Sequence, residues 1–200
     1  MSLPAFRVSF DYRCPFAKNI HLHLIAALRE DADFDVTFEP WTLSQGHREA
    51  GAPDVWDDSS KEADLIALAY GVAVRETHPL EEFLNAHEAL FLARHERGIR
   101  LATAKEIEDV LADFEIDLEV VRNFVAGGHA HDIIATTYRE FERFSAFGVP
   151  TFVVGSDATF VRYMTAPSST TDSTAIITSL VTLMASTPEL NEFKHTQLPA

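Results

Sequence analysis

YRCPFAKN, residues 12–19, holds the only cysteine of the 200-residue chain, with a proline directly behind it. Upstream, Phe6, Val8, Phe10 and Tyr12 alternate with Arg7, Ser9 and Asp11, the period of a strand with one buried face. Downstream, PFAKNIHLHLIAALRE sets Phe16, Ile20, Leu24, Ala27 and Leu28 on one helical stripe. Pro15 suits the first turn of that helix, where the N–H it lacks would have no intrahelical partner. The segment therefore reads as a strand-to-helix junction, and Cys14 stands just before the first helical residue.

Further along, Phe34, Val36 and Phe38 alternate again until Pro40, so the first 40 residues form a strand–helix–strand unit. QGHREAGAPDVWDDSS, residues 45–60, is rich in Gly, Pro, Asp and Ser and reads as an exposed connection. A helical block follows. Leu65, Leu68 and Ala69 share a face, with Gly71 expected to end that helix. Leu80, Phe83, Leu84, His87, Leu90 and Phe91 make a second stripe that stops near Gly98. Thr103 and Glu106 have capping-box spacing ahead of Ile107, Val110, Leu111 and Phe114. Asp117 is the expected cap of the next helix, whose stripe of Val121, Phe124 and Val125 stops at Gly127–Gly128. Ile133, Ile134, Tyr138, Phe141 and Phe144 form the last stripe of the block, with Gly148 as its expected end.

Strand character returns in VPTFVVG and ATFVRYM, with Ser156 and Asp157 placed in a hairpin turn between them. APSSTTDST looks flexible by composition, and Asp172 is the expected cap of a closing helix through Ile176, Ile177, Leu180 and Leu183. The expected class is α/β. Residues 1–58 and 147–200 make a discontinuous sheet domain, and 59–146 make an inserted helical domain.

Composition narrows the function. A hydrophobic content of 46% with 24% charged residues is ordinary for a globular chain. The formal net charge of −15 repels phosphate backbones and anionic membrane surfaces, so neither nucleic acid nor membrane is an expected partner. A single cysteine excludes an intrachain disulfide and a thiolate zinc cluster. MSLPAFRVSF has no apolar core of signal-peptide length, and no run approaches the roughly 20 apolar residues of a membrane span. A cytoplasmic setting is expected.

Two places offer chemistry. At a helix start the Cys14 sulfur would sit beside free backbone N–H groups, which stabilise a thiolate; its pKa is expected below the free value of about 8.5. Lys18, one turn on, would help, and Asp11 would oppose if it points inward. The competing account of Cys14 is a small buried apolar residue. A Cys-Pro pair in this setting suggests thiol redox chemistry, which commonly uses a second cysteine three residues on, but that position is Ala17. The second place is FGVPTFVV, residues 147–154, where Pro150 opens a strand directly after Gly148 and Val149. His129 and His131 alternate and lack a third ligand, so no metal site is expected. His21 and His23 diverge on their helix. His87 lies in an apolar stripe, either hydrogen-bonded in the core or facing a groove. Trp41 and Trp56 flank the connection, as packing or as pocket wall.

FDYRCPFA at a helix start, a helical insertion, GVPTFVV, a hairpin and a closing helix together resemble the DsbA-like branch of the thioredoxin superfamily over nearly the whole chain. More narrowly, the chain resembles the actinobacterial mycothiol-dependent reductases and the kappa-class glutathione transferases with their isomerase relatives. Asp11 and the tail LNEFKHTQLP, residues 190–199, are similar to the mycothiol-dependent group. The resemblance implies a thioredoxin-like fold, with Cys14 as attacking cysteine and Pro150 as cis proline. It also implies a thiol-binding surface of Pro15, Phe16, Ala17, Val149, Pro150 and Thr151. Ala17 departs from the redox members by removing the resolving cysteine, and Phe16 replaces a polar residue that tunes some relatives. The implied function is a monothiol oxidoreductase whose mixed disulfide is resolved by mycothiol or glutathione, with no tightly bound cofactor. Partners would be that thiol and a small organic or disulfide substrate, with a homodimer left open. The alternatives are a kappa-class-like transferase or isomerase, and a non-catalytic interaction protein on the same scaffold.

Overall fold

Both faces of the first strand are covered, and this decides how the rest of the chain is arranged. The computed structural model describes residues 3–169, 171–192, 194 and 195. Strand β1 (Phe6–Phe10) pairs in parallel with β2 (Val36–Pro40) on one side and antiparallel with β3 (Thr151–Val154) on the other; β4 (Asp157–Phe160) completes the order β2-β1-β3-β4. Helix α1 (Pro15–Arg29) supplies the parallel crossover from β1 to β2 and packs against both α8 (Ser173–Ser186) and α4 (Leu80–His95). The short α2 (Leu43–Gly46), α3 (Glu62–Thr77), α4, α5 (Ala104–Leu111), α6 (Leu118–Ala126) and α7 (His129–Glu142) stand between β2 and β3. This is a thioredoxin-like α/β fold carrying a helical insertion. No described helix is long and apolar enough to cross a membrane.

Several local signals act as their chemistry dictates. Pro15 opens α1 with Cys14 at its N-cap. Thr103 and Glu106 form a reciprocal capping box, Asp117 accepts from Glu119 and Val120 N–H, and Asp172 accepts from Ala175 N–H. Other expectations are corrected. Gly71 does not end a helix but lies inside α3, where a Cβ would run into the Tyr12 phenol, 2.8 Å from its Cε2. Helix α7 ends at Glu142, short of Gly148, and the chain turns at Ser145 with positive φ. The hairpin turn is Gly155–Ser156, because Asp157 already pairs with Val154, and Gly155 provides the positive φ. Ser9 and Asp11 are not on a solvent face; both are buried. Either side of the Ser/Thr-rich stretch is tied to α1: Asn19 Nδ2 donates to the Tyr163 carbonyl and His23 bonds the Thr165 carbonyl ahead of it, and His23 also bonds Ser173 Oγ near its end. Of the tail 190–199, Phe193 and residues 196–199 lie outside the described residues.

Ser9, His21, His87 and Tyr12, all buried around β1, are joined in one directional chain. His21 Nε2 faces the Ser9 carbonyl at 3.2 Å, so that nitrogen carries hydrogen and Nδ1 is left to accept. His87 Nε2 donates to it at 2.9 Å, which leaves His87 Nδ1 to accept from the Tyr12 hydroxyl at 2.8 Å. Both imidazoles are thereby neutral. Burial pushes His21 down to about 3 and holds His87 well below the histidine range. Phe10, Phe38, Phe83 and Phe91 enclose the His87 ring.

Two outcomes follow from this core. Below the ordinary histidine value of about 6.5, the unfolded chain takes up protons that folded His21 and His87 refuse. Stability, complete above that value, should therefore fall at lower pH by about 1.4 kcal/mol per pH unit for each of the two. Urea unfolding at pH 7.5 and 5.5 measures this, and a flat profile contradicts it. Gly71→Ala should destabilise the fold by about 1–3 kcal/mol through overpacking on Tyr12, despite alanine's better helix propensity. Unchanged or increased stability in thermal melts would remove the close-approach argument.

Candidate active site

Cys14 is placed by three separate restraints on the β1–α1 turn. Asp11, buried at the end of β1, accepts from Arg13 N–H and Nε at 2.9 and 3.1 Å through one oxygen. Its other oxygen accepts from an Arg13 terminal nitrogen at 2.7 Å and from Leu43 N–H at 2.8 Å. The Tyr12 carbonyl accepts from His95 Nε2 of α4 at 2.9 Å. The Cys14 N–H donates to the Asp11 carbonyl at 3.0 Å, and the Lys18 N–H returns to the Cys14 carbonyl. With Pro15 at the first helical position, the next backbone donors beside the sulfur are Phe16 and Ala17.

The opposite wall is the turn before β3. The Val149–Pro150 peptide bond is cis. Thr151 N–H donates to Ser9 Oγ at 2.8 Å and Thr151 Oγ1 to the Gly148 carbonyl at 2.7 Å. Ser9 is thus the meeting point of the two walls: its hydroxyl holds the proline turn, and its carbonyl begins the histidine chain. The turn brings the Val149 carbonyl to 3.1 Å from Cys14 Sγ, which donates to it. Among the described residues, the Val149 N–H donates to no protein group. Cys14 is only 6% exposed.

This geometry reverses the expected direction of the cysteine pKa. Burial pushes the Cys14 thiol above the usual cysteine range. The Ala17 and Phe16 N–H groups pull it down, as does Arg162, while the Asp11 carboxylate adds to the rise. The helix start acts as anticipated, but desolvation of the thiolate is the larger effect.

The other anticipated site residues divide by where their polar groups point. Pro15 is exposed and Phe16 half-buried at the helix start, and Ala17 is buried and offers the sulfur only its N–H. The Val149 carbonyl faces Cys14 as described, and Pro150, in the same turn, is buried. Thr151 is turned the other way, bracing the proline turn. Asp11 does not reach into a groove, since both oxygens are taken by Arg13 and Leu43. Lys18 Nζ turns to Glu96 at 3.3 Å. His87 cannot face a groove, because it is fully buried within the chain of Tyr12 and His21. Trp41 stacks on Tyr138, and Trp56 packs on the same ring beneath Arg139. His131 lies 3.3 Å from Glu62, and no group of metal-binding side chains occurs among the described residues. Sequence reasoning passes over Ser9, His95 and Arg162. Ser9 has the spacing of a solvent-facing strand position, and the other two reach Cys14 or its turn from 81 and 148 residues away, with no local pattern to mark them.

Comparison with known proteins adds the following. Residues 6–166 match the DSBA-like thioredoxin domain. No curated protein sequence matches the chain. Similar solved structures include the thiol-disulfide exchange protein alpha-DsbA2 from Wolbachia pipientis (TM-score 0.59, 17% identity, covering 92% of this chain and 82% of that one). Pseudomonas aeruginosa DsbA is similar at TM-score 0.59 and 18% identity, over 94% of this chain and 87% of that one. The cytosolic disulfide reductase DsbM from Pseudomonas aeruginosa, solved with GSH, gives TM-score 0.62 and 16% identity over 90% of this chain and 100% of that one. At such identities these likenesses concern the fold.

The reversed pKa is directly measurable. Alkylation of Cys14 by iodoacetamide should rise with pH to a midpoint above the ordinary thiol value of about 8.5, and return to that value in urea. A folded midpoint below it would show that the helix start outweighs burial.

Proposed function

The chain belongs to the DSBA-like thioredoxin family, and from that premise we propose that it is a monothiol thiol-disulfide oxidoreductase. The observation that supports this most is Cys14 Sγ at the start of α1, 3.1 Å from the carbonyl before cis-Pro150, in a chain with no second cysteine. A disulfide RS–SR′ docks along Val149, which is buried in the resting protein and whose N–H, without a partner among the described residues, pairs with it. Cys14 loses its proton to solvent, and the thiolate attacks one sulfur. The Cys14–SR bond forms, the S–S bond breaks, and R′S⁻ leaves with the electron pair and takes up a proton. With Ala17 in place of a resolving thiol, a second small thiol R″SH attacks the mixed disulfide. RS–SR″ departs and the Cys14 thiol is restored.

Raised thiol pKa and a buried sulfur set the conditions for this cycle. The resting site keeps its proton, and its reactivity depends on the incoming disulfide displacing the Val149 carbonyl from Sγ. Glutathione or mycothiol is the resolving thiol, so the reading requires a compartment rich in reduced thiol, the cytoplasm in the simplest case. Asp11, Lys18 and His87 serve as positioning groups for the turn and helix and do not touch the substrate.

One observation favours a second reading. A Cys14 that retains its proton is a hydrogen-bond donor, the role it would have in a kappa-class-like transferase or isomerase that binds a thiolate cosubstrate at the helix start. Cys14→Ser separates the two. On the oxidoreductase reading it abolishes reduction of a glutathione mixed disulfide, by at least about 1,000-fold in kcat/KM, because no sulfur remains to form the intermediate. Retention of that reduction in the serine variant overturns the oxidoreductase reading. Thiol-transfer activity carried by the serine variant would establish the second.

A further inference from the structure

Arg162, two residues past the end of β4, is held by rings from both walls of the site. Its guanidinium lies 4.8 Å from the centroid of Phe16 and 5.9 Å from that of Phe160. Phe16 is two residues after Cys14, and Phe160 is the ladder partner of Thr151, one residue after Pro150. Phe147, 70% exposed, extends this surface with its ring 5.0 Å from Phe160. Stacking on ring faces fixes a guanidinium while leaving its N–H edge unused. Among the described residues, no carboxylate or carbonyl accepts from Arg162. The other cations at the junction are committed, Arg13 to Asp11 and Asp64 and Lys18 to Glu96. Exposed, unneutralised and close enough to act on the Cys14 sulfur, Arg162 presents a planar donor fork beside an aromatic surface in a chain of net charge −15.

We infer that Arg162 is the specificity-determining residue for the thiol cosubstrate: it receives the carboxylate of an anionic small thiol or its disulfide, of the glutathione type, while Phe16, Phe160 and Phe147 carry the adjoining carbon chain. The inference rests on the reading of Cys14 as the group that meets that thiol. A bidentate guanidinium–carboxylate pair supplies direction as well as attraction, so it sets which end of the cosubstrate lies over Cys14. A sugar-based thiol such as mycothiol, with no carboxylate, has nothing for the fork to bind.

Binding and turnover test this separately. The Cys14→Ser chain is titrated by calorimetry with S-methylglutathione, a thioether that cannot exchange. Adding Arg162→Gln should weaken binding about tenfold, with Arg162→Lys between the two. The diethyl ester of the same ligand should bind the chain that keeps Arg162 as poorly as the free acid binds the Arg162→Gln variant. Equal affinity for the free acid with and without the Arg162→Gln substitution overturns the inference. In turnover by the Cys14 protein, Arg162→Gln should lower kcat/KM for a glutathione mixed disulfide about tenfold more than for uncharged bis(2-hydroxyethyl) disulfide. An equal loss with both would assign Arg162 to the sulfur and refute carboxylate recognition. Arg162-dependent binding with no reduction of any disulfide would leave the inference standing and remove the oxidoreductase reading.

Discussion

The site depends on a buried run of hydrogen bonds that cannot be left incomplete. From Tyr12 through His87 and His21 to the Ser9 carbonyl, and from Thr151 N–H to Ser9 Oγ, each group is enclosed and hydrogen-bonded. An unpaired member would cost about 1–3 kcal/mol, so a change at one link weakens the groups joined to it. It links the helical insertion through His87, the crossover helix through His21, the central strand through Ser9 and the proline turn through Thr151. Tyr12 is two residues from Cys14 and Thr151 is one residue from Pro150. The two walls of the site are therefore set by the same core that holds the insertion on the sheet.

Two forces compete at the sulfur, and their order explains what the site is suited to. Backbone N–H groups at the start of α1 favour a thiolate, while enclosure between the helix start and the Val149 turn favours the thiol. Enclosure wins in the resting protein. A thiol that stays protonated at neutral pH reacts slowly with stray oxidants and alkylating agents. A disulfide that takes up the Val149 backbone would break the Sγ–H bond to its carbonyl, leaving the helix end to act on the sulfur. Position and occupancy, more than a permanently low pKa, then govern reactivity.

Much of this is legible in the sequence, because it is written in local terms. The junction at Cys14–Pro15, the capping residues Thr103, Asp117 and Asp172, and the strand after Pro150 each depend on a few neighbouring residues. The order of elements follows from them, and so does the resemblance to the DsbA-like branch. What escapes depends on contacts between distant segments. Gly71 looks like a helix stop until Tyr12 is seen against it. Ser9 and Asp11 alternate like solvent-facing strand residues, yet helices cover both faces of β1. The apolar stripe around His87 is visible in the sequence, but the partners of its ring are 66 and 75 residues away. The direction of the Cys14 pKa misleads for the same reason: the helix start is visible locally, and the turn that meets the sulfur comes from residue 149.

The central claim is that one sulfur, with no partner in its own chain, carries a mixed disulfide through the cycle. Intact-protein mass spectrometry after mixing the reduced protein with glutathione disulfide, quenched in acid, tests it most directly. The account predicts a single glutathione adduct on Cys14 that forms within the turnover time and disappears when excess thiol is added. A protein that turns over the disulfide while Cys14 stays unmodified at every time point would contradict it.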